Sequence, residues 1–408
     1  MVVLKGKYKL AYLTSATLQS IAPWLILLSV LVLVGFKWQA TPLQVGIVVT
    51  CFSGSMALSD LLGESLEKFS PKVSLTVFSI VQVISIYLIS VSVHFWQIYI
   101  LLIVTGLLIG CISAQMNRIL KRIISENNDN LADEYDEEIF LLFRFLGPVI
   151  GSVLLFMLDV SYILLMPIFL YATALLPMFF ISLGSRNVEK TTPNKQEVNE
   201  VSISYREIVN YIIKTPEIWI GFLLIISSSF IVSMADSQLV HLFRELKYQS
   251  GEVIGMVMGS SGVGVYIVNV WLRKKETTKN MNNMIIALFG LALIFIFIWL
   301  GLYYQFSQSF LYIILFFGGG IFWQLGMHSY MNQIEKVAQG ALQERVMIIF
   351  GMLVLATYLL APLLGGISVM SIGITTTFAI CGISLTVVGC LIGLRNLLQK
   401  LNHQYQTK

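Results

Sequence analysis

The chain has 408 residues, of which 57% are hydrophobic and only 12% are charged, and its formal net charge is +4. Soluble domains carry about 25% charged residues, so this composition excludes an ordinary water-soluble protein. The small net charge gives no reason to expect a nucleic-acid partner. All four cysteines (Cys51, Cys111, Cys381 and Cys390) lie in apolar stretches without metal-ligand spacing, and we expect no metal and no cofactor. The composition predicts a polytopic membrane protein.

Long apolar stretches divide the chain into candidate membrane spans. A helix needs about 20 apolar residues to cross the hydrocarbon core of a bilayer. By this measure we predict an all-α protein with twelve transmembrane helices, at 11–36, 43–65, 72–95, 97–117, 138–158, 161–183, 217–239, 252–272, 283–304, 308–330, 346–368 and 370–393. The first apolar run is too long for a signal peptide, so we expect it to remain as the first helix.

The distribution of Lys and Arg between the loops gives the orientation. If the N-terminus is cytoplasmic, the inner segments hold 22 of these residues and the outer segments hold 3, with Arg144 inside a span. Basic residues concentrate on the cytoplasmic side of membrane proteins. One missed or invented span would abolish the asymmetry. The count therefore predicts a multi-pass protein of the cell membrane with both termini in the cytoplasm.

One long polar segment separates the first six spans from the last six. We predict an N-terminal six-helix bundle at 1–183, a cytoplasmic linker at 184–216, and a C-terminal six-helix bundle with a cytoplasmic tail at 217–408. Within the linker, apolar residues recur at the i, i+3, i+4 and i+7 spacing of an amphipathic helix. They are Tyr205, Ile208, Val209 and Ile212. This helix lies either on the inner membrane surface or packed under the bundle.

Two short matches indicate that the halves are repeats of each other. Met116-Asn117-Arg118-Ile119 precedes the fifth span, as Met331-Asn332-Gln333-Ile334 precedes the eleventh. Gly147-Pro148-x-x-Gly151 then matches Ala361-Pro362-x-x-Gly365 at nearly the same distance. Parallel repeats of six spans are typical of one large class of transporters.

The loop between the second and third spans carries a recognisable pattern. Gly63, Glu67, Lys68 and Lys72 match, in order and spacing, a cytoplasmic signature, and the loop resembles that of the major facilitator superfamily. The resemblance implies two six-helix bundles and a latch between them, in which Glu67 is the acidic member. The alternative is an ordinary charged turn.

The fifth span contains a second pattern of this kind. Its Gly147, Pro148 and Gly151 resemble the motif that marks antiporters in the same superfamily, with Pro362 and Gly365 as the partners in the eleventh span. Pro removes a backbone hydrogen bond and can kink a helix. Chain length and loop layout resemble the macrolide and multidrug efflux type. The resemblance implies proton-coupled efflux, and the alternative is a generic kinked membrane helix.

Charged residues inside membrane spans are costly and indicate function or pairing. Arg144 lies about two turns into the fifth span, and Asp60, Glu64 and Glu67 at the inner end of the second span are its candidate partners. Asp236 lies late in the seventh span. It is either an interfacial residue or a carboxylate that titrates in a cavity.

Several polar or aromatic side chains on the spans are candidates to line a central cavity. They are Gln19, Trp24, Asn269, Gln324 and His328. Each of these residue types also occurs as a packing or interface residue in membrane helices.

The sequence favours a secondary transporter that works by alternating access and exports a small amphipathic compound in exchange for protons. No P-loop, G-x-S-x-G or H-E-x-x-H motif occurs, so an enzyme is not expected. Two alternatives are a polytopic enzyme acting on lipid-linked substrates and a non-transporting sensor derived from a transporter. The expected partners are a small-molecule substrate, a coupling proton and the lipid bilayer, and we expect a monomer.

Overall fold

The structure is a computed structural model that describes residues 6–59, 70–123, 142, 146–184, 205–272, 280–338 and 340–406. Within these ranges every regular element is helical, which confirms the prediction of an all-α fold. Nine helices in the described ranges are long and apolar enough to cross a membrane, and three shorter apolar helices lie at the second, fifth and sixth predicted spans. The number of twelve spans therefore stays a prediction.

The apolar helices follow the predicted spans in chain order. They are α1 (Gly6–Val32, continued by a π-helical segment Leu33–Lys37), α2 (Pro42–Leu58), α3 (Pro71–Ser90), α4 (Phe95–Ile123), α5 (Leu146–Met157), α6 (Met166–Gly184, preceded by a turn Val160–Ile163), α7 (Pro216–Asp236), α8 (Glu252–Leu272), α9 (Asn280–Tyr303), α10 (Ser309–Val337), α11 (Ala341–Ile372) and α12 (Ile374–Gln406). Two short helices, Tyr205–Lys214 and Leu239–Glu245, precede and follow α7.

Local sequence signals set several of the helix boundaries. Helices α2, α3 and α7 each begin with proline, whose missing N–H is not needed in the first turn. At the start of α2, Thr41 and Gln44 form a capping box. Gly373 is the single residue between α11 and α12, and its φ is +80°. Glycine adopts this positive φ without a steric cost, so the chain can turn there within one residue.

The surface of α3 shows why this fold needs a membrane. Exposed apolar side chains recur along one side of the helix, at positions 73, 77, 80, 84 and 88, and Ile84 is 52% exposed. Soluble monomers rarely leave such a continuous apolar stripe in water. A stripe of this kind fits contact with lipid chains.

The chain divides into two compact units, one drawn from residues 1–199 with 248–259 and the other from 200–247 with 260–408. Inside the first unit, α1 packs on α4 and α6, α3 packs on α4 and α6, and α2 packs on α4. Inside the second, α7 packs on α10 and α12, and α9 packs on α10 and α12, while α8 contacts α10 through glycines. Each of these helix contacts in the first unit thus has a counterpart in the second unit, between the helices whose numbers are higher by six.

The short helix Tyr205–Lys214, here called the linker helix, belongs to the second unit. Ile208 and Ile212 are buried, and the helix packs against α7 and α11. The O–H of Tyr211 donates a hydrogen bond to the carbonyl oxygen of Val337 at 2.9 Å. The face that carries Ile208 and Ile212 therefore packs against the bundle, which is the second of the two placements that the sequence leaves open.

Candidate functional site

The second unit contains a row of polar side chains along one face of α10. Gln324, His328 and Asn332 follow one another at intervals of four residues, so they lie on the same side of the helix. The Nδ2 atom of Asn332 is 3.1 Å from Nε2 of His328. The Nε2 atom of Gln324 donates a hydrogen bond to Oδ1 of Asn269 on α8, at 3.3 Å. The structure therefore brings two of the predicted cavity residues into direct contact and places a third one turn away.

Glycines explain why α8 and α10 come close enough for this contact. A Cβ atom on Gly320 would overlap the carbonyl oxygen of Ser261, and a Cβ atom on Gly264 would overlap that of Phe317. The two backbones therefore touch directly, as in other membrane helix pairs built on small residues. Asn269 lies five residues after Gly264 and Gln324 four residues after Gly320, so their side chains meet about one turn beyond the crossing.

Both amides of this pair are largely buried, since Asn269 is 6% and Gln324 is 8% exposed. An amide has two donors and two acceptor positions, so one mutual hydrogen bond leaves capacity on each side chain. The arrangement can therefore bind the polar groups of a solute between largely apolar helices.

The first unit places Gln19 in a similar setting on α1. Its Nε2 donates a hydrogen bond to Oγ of Ser15 at 3.3 Å, and Ser15 in turn donates to the carbonyl oxygen of Ala174 on α6 at 2.8 Å. The residue is 8% exposed, and its Oε1 atom has no hydrogen-bond partner among the described residues. Leaving a buried acceptor unsatisfied costs about 1–3 kcal/mol, so this oxygen is ready to accept from a bound group.

The predicted Gly-Pro motif of α5 packs on α1. A Cβ atom on Gly147 would lie 2.7 Å from Cβ of Trp24, and one on Gly151 would lie 2.6 Å from Cδ2 of Leu28. Trp24, predicted to line a cavity, is half-buried and covers Gly147. The glycines thus allow close packing of the two helices.

The matching motif of α11 packs on α7. A Cβ atom on Gly365 would overlap the carbonyl oxygen of Met234 and would lie 3.1 Å from Oγ of Ser237. Pro362 lies three residues earlier, inside the helix. Gly151 and Gly365 therefore have the same role in the two units, the fifth helix against the first and the eleventh against the seventh.

Asp236 is the last residue of α7 and is exposed. The two residues that follow it are buried, and Gln238 donates a hydrogen bond to Oγ of Ser237 at 3.2 Å. The carboxylate thus lies where the apolar helix ends. Its proposed titration stays a prediction.

Other predicted residues lie outside the described residues. They are Arg144, Asp60, Gly63, Glu64, Glu67 and Lys68. Lys72 belongs to α3, but its side chain is not among those described. The latch and the intramembrane ion pair therefore stay predictions.

Sequence reasoning missed two polar residues that contact predicted cavity residues, one in each unit. Asn332 was assigned only to the repeat, although its i+4 spacing from His328 places both on one face of a helix. Ser15 precedes Gln19 by the same interval. The i+4 spacing of polar residues within an apolar span is the signal that identifies both.

The comparisons with known proteins agree with this architecture. Residues 10–340 match the Major Facilitator Superfamily. The uncharacterised MFS-type transporter YfiS of Bacillus subtilis (strain 168) is 23% identical over 267 residues, which are 65% of this chain. The match covers 64% of that relative's own length, slightly less than two thirds.

Solved structures show the same fold. The nucleoside transporter NupG superposes with a TM-score of 0.70 at 13% identity, covering 94% of this chain and 98% of its own. A POT family transporter in complex with 5-aminolevulinic acid gives a TM-score of 0.69 at 12% identity, covering 95% of each chain. At these identities the likeness shows the fold alone. Because the family match covers residues 10–340, this chain belongs to the Major Facilitator Superfamily, and it is a multi-pass membrane protein.

Proposed function

We propose that the protein is a secondary active transporter that works by alternating access and exports a small amphipathic compound in exchange for protons, in the manner of macrolide and multidrug efflux proteins. The observation that carries the proposal is the hydrogen-bonded pair of Asn269 and Gln324, with His328 one turn away, between largely apolar helices. An amphipathic solute needs a few polar groups within an apolar site. NupG is named as a nucleoside transporter, and the POT structure holds 5-aminolevulinic acid; both solutes are small organic molecules.

In this proposal the polar side chains bind the solute and determine its orientation. Gln19, Asn269, Gln324 and His328 exchange hydrogen bonds with its polar groups, and Trp24 supplies an apolar wall. The kink motifs, Gly147-Pro148-x-x-Gly151 with Pro362 and Gly365, allow α5 and α11 to pack closely while they bend. The tight contacts of Gly147, Gly151 and Gly365 support this role.

Coupling requires a group that gains and loses a proton during the cycle. We assign this role to Asp236, because it is a carboxylate at the end of an apolar helix and a carboxylate can gain and lose a proton. Arg144 pairs with Asp60 or a neighbouring acid, and Gly63, Glu67, Lys68 and Lys72 form the latch that favours one access state. The bundles are 1–183 and 217–408, joined by the linker 184–216.

Flux measurements on the purified protein in proteoliposomes test the proposal. A panel of amphipathic cations and neutral drugs is offered with and without an imposed pH gradient. We expect uphill movement of at least one compound only with the gradient. Absence of flux for the whole panel, together with saturable binding, would favour a non-transporting sensor.

Two variants separate coupling from binding. Asp236→Asn keeps the size and removes the titration, so this variant should bind the compound but fail to concentrate it. Gln324→Leu removes the amide, so it should weaken binding while retaining the response to pH. Wild-type uphill transport by Asp236→Asn would exclude this residue as the coupling group.

The proposal also covers location and assembly. We propose that the protein acts as a monomer in the cell membrane with both termini in the cytoplasm. Light scattering of the purified protein in detergent, corrected for bound detergent, should give the mass of one chain of 45.8 kDa.

A further inference from the structure

The linker helix carries more apolar surface than its packing uses. Ile208 and Ile212 are 1% and 9% exposed and face α7 and α11. Val209 and Ile213 are 45% and 63% exposed. They are four residues apart and therefore form one strip, beside the packed face. Two large apolar side chains on a ten-residue helix thus lack cover among the described residues.

Basic residues border this strip. At about 100° per residue, Val209 and Ile213 lie between the packed isoleucines and Arg206, and Lys214 follows farther around the helix. Both basic side chains are exposed. Glu207, also exposed, lies about a third of a turn from Ile213, on the far side of Arg206. The order around the helix is packed, then apolar, then polar with both basic residues and Glu207, and an apolar face beside a charged one is the pattern of helices that lie in a membrane interface.

The position of the helix in the chain places the strip at the membrane surface. The linker helix ends at Lys214, and α7 begins at Pro216 after the single residue Thr215. One turn into α7, the ring of Trp219 lies under the guanidinium of Arg395 on α12, with 4.7 Å between the Arg395 carbon and the ring centroid. Tryptophan and arginine are typical of the headgroup level. The C-terminal end of the linker helix therefore lies at the headgroup level.

We propose that the strip of Val209 and Ile213 docks into the adjacent leaflet and that Arg206 and Lys214 bind the headgroups of anionic phospholipids there. The packed face holds the helix on the second unit, and the strip enters the boundary between headgroups and acyl chains. The linker helix is then a lipid-binding element of the transporter, independent of the solute site.

Quenching of a fluorophore by lipids tests the docking. The four native cysteines are replaced by serine or alanine in the full chain, and Ile213→Cys or Glu207→Cys is labelled with an environment-sensitive dye. Vesicles contain phosphatidylglycerol, phosphatidylcholine and a lipid spin-labelled near the headgroup. Since the apolar face of an interfacial helix lies about 5–10 Å into the boundary, we expect quenching at 213 to exceed that at 207 about twofold or more.

Each other outcome overturns the proposal. A blue-shifted but unquenched dye at 213 would mean that another segment of the chain covers the strip. Quenching that weakens as protein is concentrated in the vesicles would mean that a second copy covers it. Equal emission at 213 and 207 would mean that both face water.

The anionic preference has its own measurement. Native mass spectrometry of the unlabelled protein from mixed vesicles gives the ratio of bound phosphatidylglycerol to bound phosphatidylcholine. We expect Arg206→Gln with Lys214→Gln to lower this ratio, while the control Glu207→Gln, which neutralises an acidic residue of the same helix, leaves it equal or raises it. An unchanged ratio in the double variant would refute the role of the two basic residues.

Discussion

Asp159, in the loop between α5 and α6, shows what a single charged residue does outside the membrane. Its carboxylate accepts hydrogen bonds from Nζ of Lys37 at 2.8 Å and from the backbone N–H of Ser161 at 2.9 Å. The hydrogen bond from Lys37, followed by those from Ser161, lowers the pKa of Asp159 to about 2. The residue thus caps the turn before α6 and ties it to the end of α1.

We predict a small pH-dependent loss of stability when this charge is removed. Because the pKa of Asp159 is lower in the folded protein than its ordinary 3.8, the pair stabilises the fold above that pH, and the contribution is lost as pH falls toward about 2. Both side chains are about half exposed, so the effect is at most about 1 kcal/mol. Thermal unfolding of Asp159→Asn, which keeps a good capping residue, should differ from wild type at pH 6 but not near pH 2.

A second variant controls for the cap. Lys37→Met removes the same ion pair and leaves Asp159 in place. It should show the same pH dependence, and the double variant should lose little more than either single one. A difference that stays constant from pH 6 to pH 2 would contradict the assignment to this ion pair.

Two fully buried tyrosines on α10 give a matched pair of substitutions. The O–H of Tyr330 has no hydrogen-bond partner among the described residues, whereas that of Tyr312 donates to the carbonyl oxygen of Phe306 at 3.0 Å. Burying a hydroxyl without a partner is costly. We predict that Tyr330→Phe raises the free energy of unfolding by about 1 kcal/mol and that Tyr312→Phe lowers it by a similar amount. Thermal unfolding in detergent gives both values, and a loss for Tyr330→Phe would mean that its hydroxyl binds water or solute.

At the scale of elements, the crossing of α8 and α10 decides whether the polar pair can form. Gly320 lies against the carbonyl of Ser261, while a Cβ atom on its neighbour Gly319 would meet nothing within 4 Å. Gly320→Ala should therefore push the helices apart and cost about 1–3 kcal/mol, as overpacking does. Gly319→Ala should be neutral or stabilising by up to about 1 kcal/mol, since alanine favours helix.

The same two variants should separate in function. With the helices apart, Asn269 and Gln324 can no longer bond, so Gly320→Ala should lower the affinity for solute and Gly319→Ala should not. Equal affinities in a well-folded Gly320→Ala protein would show that the pair does not contribute to binding.

Helix positions were predictable from the sequence, but helix lengths were not. The predicted spans end at 117, 330 and 393, whereas α4, α10 and α12 continue to Ile123, Val337 and Gln406. Hydropathy identifies only the part of a helix that crosses the hydrocarbon core. A helix that continues into water keeps its backbone hydrogen bonds, but its residues there need not be apolar, so hydropathy does not detect them. The capping box at Thr41 and the prolines that begin α2, α3 and α7 are local signals of helix starts, which a hydropathy count does not use.

The site was predictable residue by residue but not as an arrangement. Asn269 and Gln324 stand out as amides within apolar runs. The two amides are 55 residues apart in sequence. Their hydrogen bond depends on the glycine crossing of α8 and α10, which no local pattern encodes. Trp24 was predicted to line a cavity, but it covers Gly147. This contact follows from the packing of α5 on α1 and not from the sequence around Trp24.

At the scale of the whole molecule, the recurrence of helix pairings supports two repeats of six. Corresponding contacts, such as α1 with α6 and α7 with α12, arise in separate parts of the chain. The Gly151 and Gly365 contacts recur in the same way. A parallel repeat of an even number of spans requires the two halves to share one orientation in the membrane.

This requirement, together with the 22-to-3 distribution of basic residues, predicts the topology. Reporters fused after Asn187 and after His403 should both read cytoplasmic, because six spans separate them. A reporter inserted at Lys247, between α7 and α8, should read external, since a single span separates it from Asn187. The assay pairs alkaline phosphatase, active outside, with a fluorescent protein that folds only inside. Opposite readings at Asn187 and His403 would mean an odd number of spans in the second half, and neither the repeat nor the twelve-span topology could then be right.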